Sequence, residues 1–258
     1  MKRYHSFGLA PAIVLGLAIA IPVAAQVKPA GKASGITQEQ GEAILNELRQ
    51  IRELLEKMVK ADSLRAAQPA PSAGSVKVQI GDGPILGSPT APLTMVEFTD
   101  YQCFYCRQFY LNSFAELKKK FIDTGKLRYV VRDFPLSIHE DAMRAAQAAH
   151  CAGAQGQYWP MRNALITNQS NLGEAALVGY AQNLSLDVAR FRTCLASDKY
   201  LPEIQRSMEE ASAIDVGGTP SFVLGKTTPD GVAGAKIEGA LPYADFETKI
   251  KAWLAKTQ

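Results

Sequence analysis

Two thiols separated by two aromatic residues, Cys103-Phe104-Tyr105-Cys106, are the part of this chain best suited to chemistry. Residues 93–99 before them are apolar and strand-like, and a helix-like run follows them to about residue 121. Thiols three positions apart at a helix start can close on each other, and the partial positive charge of a helix N-terminus favours the thiolate. Such a dithiol can pass two electrons to or from another protein. A zinc site would need a second ligand pair, and the remaining Cys151 and Cys194 are far apart in the chain, neither in a knuckle. Covalent haem would need a histidine after the second cysteine, where Arg107 stands. No metal or cofactor is therefore expected. An inert structural disulfide stays open, although a helix start is a tight and reactive place for one.

The N-terminus reads as an export signal, which sets the redox compartment of these thiols. Lys2 and Arg3 precede an apolar run over residues 9–24, and Val23-Ala24-Ala25 offers the small residues of a cleavage site after Ala25. The alternative is an uncleaved membrane anchor, but the run is short for a span and Pro11 and Pro22 interrupt it. Without the leader, the chain has 26 basic against 25 acidic residues, which leaves no electrostatic footprint for nucleic acid. Four cysteines in an exported protein make disulfide chemistry the default expectation.

Residues 26–35 read as a flexible tether. Thr37 and Gln40 match a capping box, so a helix is expected over 36–66. Its apolar residues Ile44, Leu48, Ile51, Leu55 and Met58 are spaced four and three apart, a heptad seam widened by Leu45, Leu54 and Val59. A helix so polar on its other faces must bury this stripe on a partner copy or on the protein's own body. Self-association is the favoured reading, and Leu at a with Ile at d leans away from dimers towards higher states. Residues 67–75 form a Pro/Ala/Ser linker, and the main domain occupies 76–258. Strands are expected at 76–80, 93–98, 127–131, 221–224 and 236–238. A helical block occupies about 139–214, with Asn171 and Ser185 as caps, and a closing helix covers 242–254. This order describes an α/β sheet with the reactive group at a strand's C-terminal end.

Two further positions bear on the thiols. Thr219-Pro220 follows Gly217-Gly218 and precedes a strand, a reasonable site for a cis peptide whose Thr219 backbone could pair with an extended substrate. An ordinary trans proline is the commoner alternative. Glu97 is a carboxylate in an otherwise apolar strand, where burial would let it exchange protons near neutrality; a solvent-facing strand edge is the alternative. His139 and His150 read as ordinary helix residues.

Glu97 six residues before Cys103, the paired cysteines at a helix start, the helical block and Gly218-Thr219-Pro220 together resemble the DsbA-like branch of the thioredoxin-fold superfamily. The segments at 96–103, 132–136 and 216–222 carry the resemblance, which extends over roughly 76–256. It implies a thioredoxin fold, a central mixed sheet of four or five strands with flanking helices and a helical insertion, preceded here by the amphipathic, coiled-coil-like helix. It implies a cis Pro220 against the cysteine pair, Cys103 as exposed nucleophile, Cys106 as buried partner, and Glu97 as the acid that handles protons for Cys106. Thr219 and Pro220, with Phe104 and Tyr105 between the cysteines, would shape the substrate groove. Cys151 and Cys194 can form a structural disulfide, remain buried thiols, or act as a second relay. A bond between them would constrain the unfolded chain by roughly 3 to 4.7 kcal/mol.

The expected function is an exported, periplasmic thiol–disulfide oxidoreductase. Its partners would be cysteine-containing exported proteins and a membrane or periplasmic redox partner. Phe104 stands where many relatives have proline, and no histidine lies between the cysteines. Tyr105 and Thr219 are similar to the isomerases DsbC and DsbG, which are oligomeric. An oligomeric isomerase or reductase is thus the alternative, and a periplasmic Cu(I)-binding protein is the alternative of another class.

Overall fold

The computed structural model describes residues 37–67, 75–81 and 83–256, with the backbone alone over 58–67. The expected leader, the tether and most of the linker lie outside the described residues, as do the side chains of Met58 and Val59. The described residues divide into two compact units, one up to residue 67 and one after it.

The first unit contains helix α1 (Gln38–Ala67). Thr37 Oγ1 accepts from the Gln40 backbone N–H at 3.2 Å, and Gln40 Oε1 accepts from the Thr37 N–H at 3.1 Å. This reciprocal pair satisfies two donors that a helix start leaves free. Ile44, Leu48, Ile51 and Leu55 fall on one side of the helix and are exposed, as are Leu45 and Leu54.

The second unit is built on a mixed six-stranded sheet. Its strands are β1 (Val76–Gln79), β2 (Ile85–Leu86), β3 (Leu93–Thr99), β4 (Leu127–Asp133), β5 (Ser221–Thr228) and β6 (Gly231–Glu238). Their order across the sheet is β1-β6-β5-β3-β4-β2. Only β3 and β4 pair in parallel, because helix α2 (104–122) crosses between them; the other pairs are antiparallel. Its turns widen to the π form at Tyr110–Phe114 and Lys118–Ile122. Gly125 (φ 71°) ends it in the left-handed region, and the Lys126 N–H returns to the Phe121 carbonyl.

Every residue of β3 and β4 is buried, as expected for central strands covered on both faces. Side chains alternate between those faces. Leu93 and Met95 pack with Phe109, Phe114 and Leu117 of α2 and with Phe246 and Ile250 of a closing helix. Val96 and Phe98 pack on the other face with Val130, Val223, Ala211 and Val216. Between β4 and β5 lies an insertion of five helices: α3 (Ala142–Gly153), α4 (Tyr158–Thr167), α5 (Glu174–Asn183), α6 (Val188–Ala196) and α7 (Leu201–Ala213). Helix α8 (Tyr243–Leu254) closes the chain. Among the described residues no helix is long and apolar enough to cross a membrane.

The sheet has six strands rather than four or five. The two-residue β2 was too short to show a period. The β5–β6 hairpin is longer than expected because its glycines belong to the strands. Gly225 and Gly234 lie opposite each other, and a Cβ on either would run into the partner strand's backbone. Helix α6 is capped by Asp187, whose carboxylate accepts from the Arg190 N–H at 3.0 Å, and not by Ser185, which takes a positive φ of 56°. Helix α5 starts after Gly173, not at Asn171.

Cys151 of α3 and Cys194 of α6 form a disulfide across 43 positions, inside the insertion. Replacing both by serine is expected to lower the unfolding free energy by about 2 to 5 kcal/mol. Chemical denaturation of the oxidised variant and parent would measure it; superimposable curves would show that the crosslink adds nothing.

Candidate active site

The C-terminal end of β3 delivers the chain into a turn that Asp100 organises. Its carboxylate accepts from the Gln102 N–H at 2.7 Å, the Leu136 N–H at 2.8 Å and His139 Nδ1 at 2.7 Å. Gln102 Oε1 in turn accepts from the Asp141 N–H at 2.9 Å. From the insertion, Gln169 Nε2 donates to the carbonyls of Tyr101 and Cys103 at 3.0 and 2.6 Å. The segment before the sulfurs is thus stitched on one side to the loop after β4 and on the other to the end of α4. His139 lies in that loop rather than in a helix, and His150 of α3 bonds Asp133 at 2.7 Å.

Cys103 occupies the N-cap position of α2, with extended backbone (φ −74°, ψ 122°) and no side-chain cap. No acidic residue lies in the first turn, so free backbone N–H groups and the helix dipole act on its sulfur. Its thiol donates to the Thr219 carbonyl at 3.3 Å, next to the cis Thr219–Pro220 peptide. A hydrogen bond from the Cys106 thiol draws the Cys103 pKa down. Burial opposes this, while the Thr219 side chain and the N–H groups of Cys106 and Tyr105 assist, leaving it at about 6. Cys106, wholly buried, moves the other way: burial first, then the neighbouring Cys103 and the charge of Glu97, push its thiol well above the ordinary value. The Asp100 N–H points at its sulfur from 3.5 Å. The two sulfurs are unbonded and unequal, one readily ionised and one held protonated.

Cys103 is not exposed as expected; its residue is 5% accessible, shielded by the Thr219 turn and the insertion core. The open surface beside it belongs to Phe104 and Tyr105, 58% and 62% exposed and packed edge to face, with Ile138 exposed in the loop fastened to Asp100. Thr219 and Pro220 are brought to the sulfurs. Cys151 and Cys194 are not; they are bonded to each other within the insertion.

Glu97 is wholly buried on the face of β3 that carries Leu93 and Met95. The isolated acid expected in an apolar strand is half of an ion pair: Arg162 Nη2 of α4 donates to its Oε2 at 2.6 Å, and the Tyr129 hydroxyl donates to the same oxygen. Tyr110, Phe114, Tyr129 and Trp159 surround the guanidinium with ring centroids 5.1 to 6.0 Å away. Burial is the largest influence on this charge and works against it, but Glu97 together with Tyr129, Tyr101 and Tyr158 holds the Arg162 pKa above its ordinary value. Sequence reasoning missed Arg162 and Tyr129, because nothing in a helix or an apolar strand marks a contact made across 65 positions. Asp100 was findable, since it directly precedes the turn into the cysteines. Among the described residues no cluster of three or more His, Cys, Asp or Glu side chains could hold a metal.

The thioredoxin family model matches residues 79–252. The structure of alpha-DsbA1 from Wolbachia pipientis superimposes with a TM-score of 0.63 at 25% identity, covering 70% of this chain and 94% of that one. A thioredoxin-like oxidoreductase from Silicibacter pomeroyi gives 0.57 at 27% identity, over 69% and 94% of the two chains. A Na(+)/H(+) antiporter, NhaA 1 of Salinispora arenicola, is 38% identical over 141 residues, 54% of this chain but only 21% of the antiporter; this chain thus spans about a fifth of that relative. Fold and matched segment agree, and the chain belongs to the thioredoxin family, in its DsbA-like branch.

Proposed function

We propose that this protein is an exported thiol–disulfide oxidoreductase that exchanges disulfides with cysteine-containing exported proteins through Cys103 and Cys106. One observation carries the reading: the Cys103 sulfur lies at the start of α2, 3.3 Å from the Thr219 carbonyl and beside the buried Cys106 thiol. In the disulfide form, a substrate thiolate attacks Cys103 Sγ and the Cys106 sulfur leaves, taking up a proton. A second substrate thiolate then attacks the substrate sulfur of the mixed disulfide and releases Cys103 as thiolate. The substrate gains a disulfide and the enzyme holds two thiols. The low pKa of Cys103 makes it a good leaving group and stabilises the reduced enzyme, which favours oxidation of substrates. Phe104, Tyr105 and Ile138 supply apolar contact for an extended substrate lying past Thr219 and Pro220, and Glu97 exchanges the proton of Cys106. The leader pattern over 1–25 supports export to the periplasm, and a membrane or periplasmic redox partner would reoxidise the pair.

The apolar stripe of α1 favours a second reading, an oligomeric isomerase. In it, residues 36–66 associate with other copies and Cys103 shuffles disulfides from within the assembly.

Cys103→Ala is expected to abolish dithiol oxidation and insulin reduction, whereas Cys106→Ala should accumulate a mixed disulfide on a non-reducing gel. Retained turnover in the first variant would overturn the assignment. Thiolate absorbance of the reduced protein should appear as pH rises through about 6 and be missing in Cys103→Ala. A midpoint near that of a free thiol, about 8.5, would refute the lowered pKa. Deleting residues 36–66 should reduce the mass seen by light scattering to that of a monomer; an unchanged mass would remove the oligomer reading.

A further inference from the structure

Arg162 belongs to the insertion, yet its guanidinium reaches the acid whose charge acts on Cys106. It and Glu97 are 1% and 0% exposed. Arg162 Nη2 and the Tyr129 hydroxyl both donate to Glu97 Oε2, while Glu97 Oε1 is buried with no hydrogen-bond partner. A carboxylate shut away from water ordinarily has both oxygens satisfied. Here two donors converge on one oxygen and leave the lone pairs of the other free, within electrostatic reach of Cys106.

We propose that Arg162 is a positioning residue for the exchange: with Tyr129 it anchors Oε2 and balances the buried charge, so that Oε1 can accept the Cys106 proton. This rests on Cys103 and Cys106 being the reacting pair. In the step concerned, Cys103 holds a partner sulfur in a mixed disulfide. The Cys106 proton passes to Glu97 Oε1, directly or through a water. The Cys106 thiolate attacks Cys103 Sγ, the Cys103–Cys106 bond forms, and the partner leaves as a thiolate with the electron pair of the broken bond. The reverse step returns the proton to the leaving Cys106.

The charge balance explains why an arginine is needed. Arg162, Glu97 and the Cys106 thiol sum to zero before the transfer and again after it, when the negative charge has moved from oxygen to sulfur. Without Arg162 the buried site would carry an uncompensated charge, and burial favours the neutral form of any carboxyl group left without its counter-charge. The groups facing Glu97 are Cys106 and Tyr110 of α2, Tyr101 before that helix, Tyr129 of β4 and Arg162 of α4; β5 presents Phe222. Burial raises all three tyrosines, so none of them is a base at neutral pH.

The test uses the full chain carrying glutathione on Cys103, with decay to the Cys103–Cys106 disulfide followed by acid quench and mass spectrometry over a pH series. Arg162→Met should slow the decay about tenfold or more at neutral pH and move its midpoint up by about one unit or more. Arg162→Lys, which keeps the cation, should recover most of the rate. In a Glu97→Gln background, Arg162→Met should change neither rate nor midpoint further. That double variant removes both buried charges, so it serves where Arg162→Met alone does not fold. An unchanged midpoint in Arg162→Met, or added slowing in the Glu97→Gln background, would overturn the proposal. Failure of Cys103 to form the glutathione adduct would overturn the exchange reading with it, whereas normal adduct formation with unchanged decay overturns the role of Arg162 alone.

Discussion

The buried pairing of Glu97 with Arg162 is the interaction from which the rest of this architecture follows. Strand β3 is covered on both faces, so a carboxylate in its middle must find its counter-charge inside the protein. The sheet and α2 supply a tyrosine and aromatic rings but no cation at that place; the cation comes from α4 of the insertion. The insertion is therefore more than a cover for one edge. It completes the electrostatics of the sheet it covers, and its aromatic cage of Tyr110, Phe114, Tyr129 and Trp159 draws on three different elements to hold one guanidinium.

The sulfurs inherit this arrangement. They lie where the core of the insertion meets the end of the sheet, and both belong to the apolar cluster centred on the insertion. Their inequality follows from a distance of one helical turn. Cys103, at the mouth of the helix, sees free N–H groups and a neighbouring thiol, whereas Cys106, one turn in, sees desolvation and the negative charge of Glu97. Thiol–disulfide exchange benefits from such a difference, because one sulfur must leave easily and the other must hold its proton until it is used. Asp100 fixes the relative placement, since one carboxylate ties together the turn before Cys103, the loop after β4 and His139.

Much of this could be read from residues in order along the chain. The paired cysteines at a strand-to-helix junction, the thioredoxin class, the helical insertion, the Thr219-Pro220 turn and the capping box of α1 all have local signatures. Local signatures failed where the deciding contact was remote. The glycines of β5 and β6 look like breakers until Gly225 and Gly234 are seen to face each other, where no Cβ would fit. Ser185 has the right chemistry for a helix cap, but its positive φ leaves the role to Asp187. The exposure of Cys103 depends on the Thr219 turn, 116 positions away.

The thiol pair and the class of sheet that carries it are legible in the order of the residues, because a CxxC spacing, a helix start and an alternating strand are written within a few positions of each other. The electrical surroundings of those atoms come instead from contacts made in three dimensions. The counter-charge of Glu97 comes from 65 positions away, the carbonyl beside Cys103 from 116, and the bond between Cys151 and Cys194 spans 43. Energies of buried charges depend on what surrounds them in space, and neighbours in space are set by packing rather than by order along the chain.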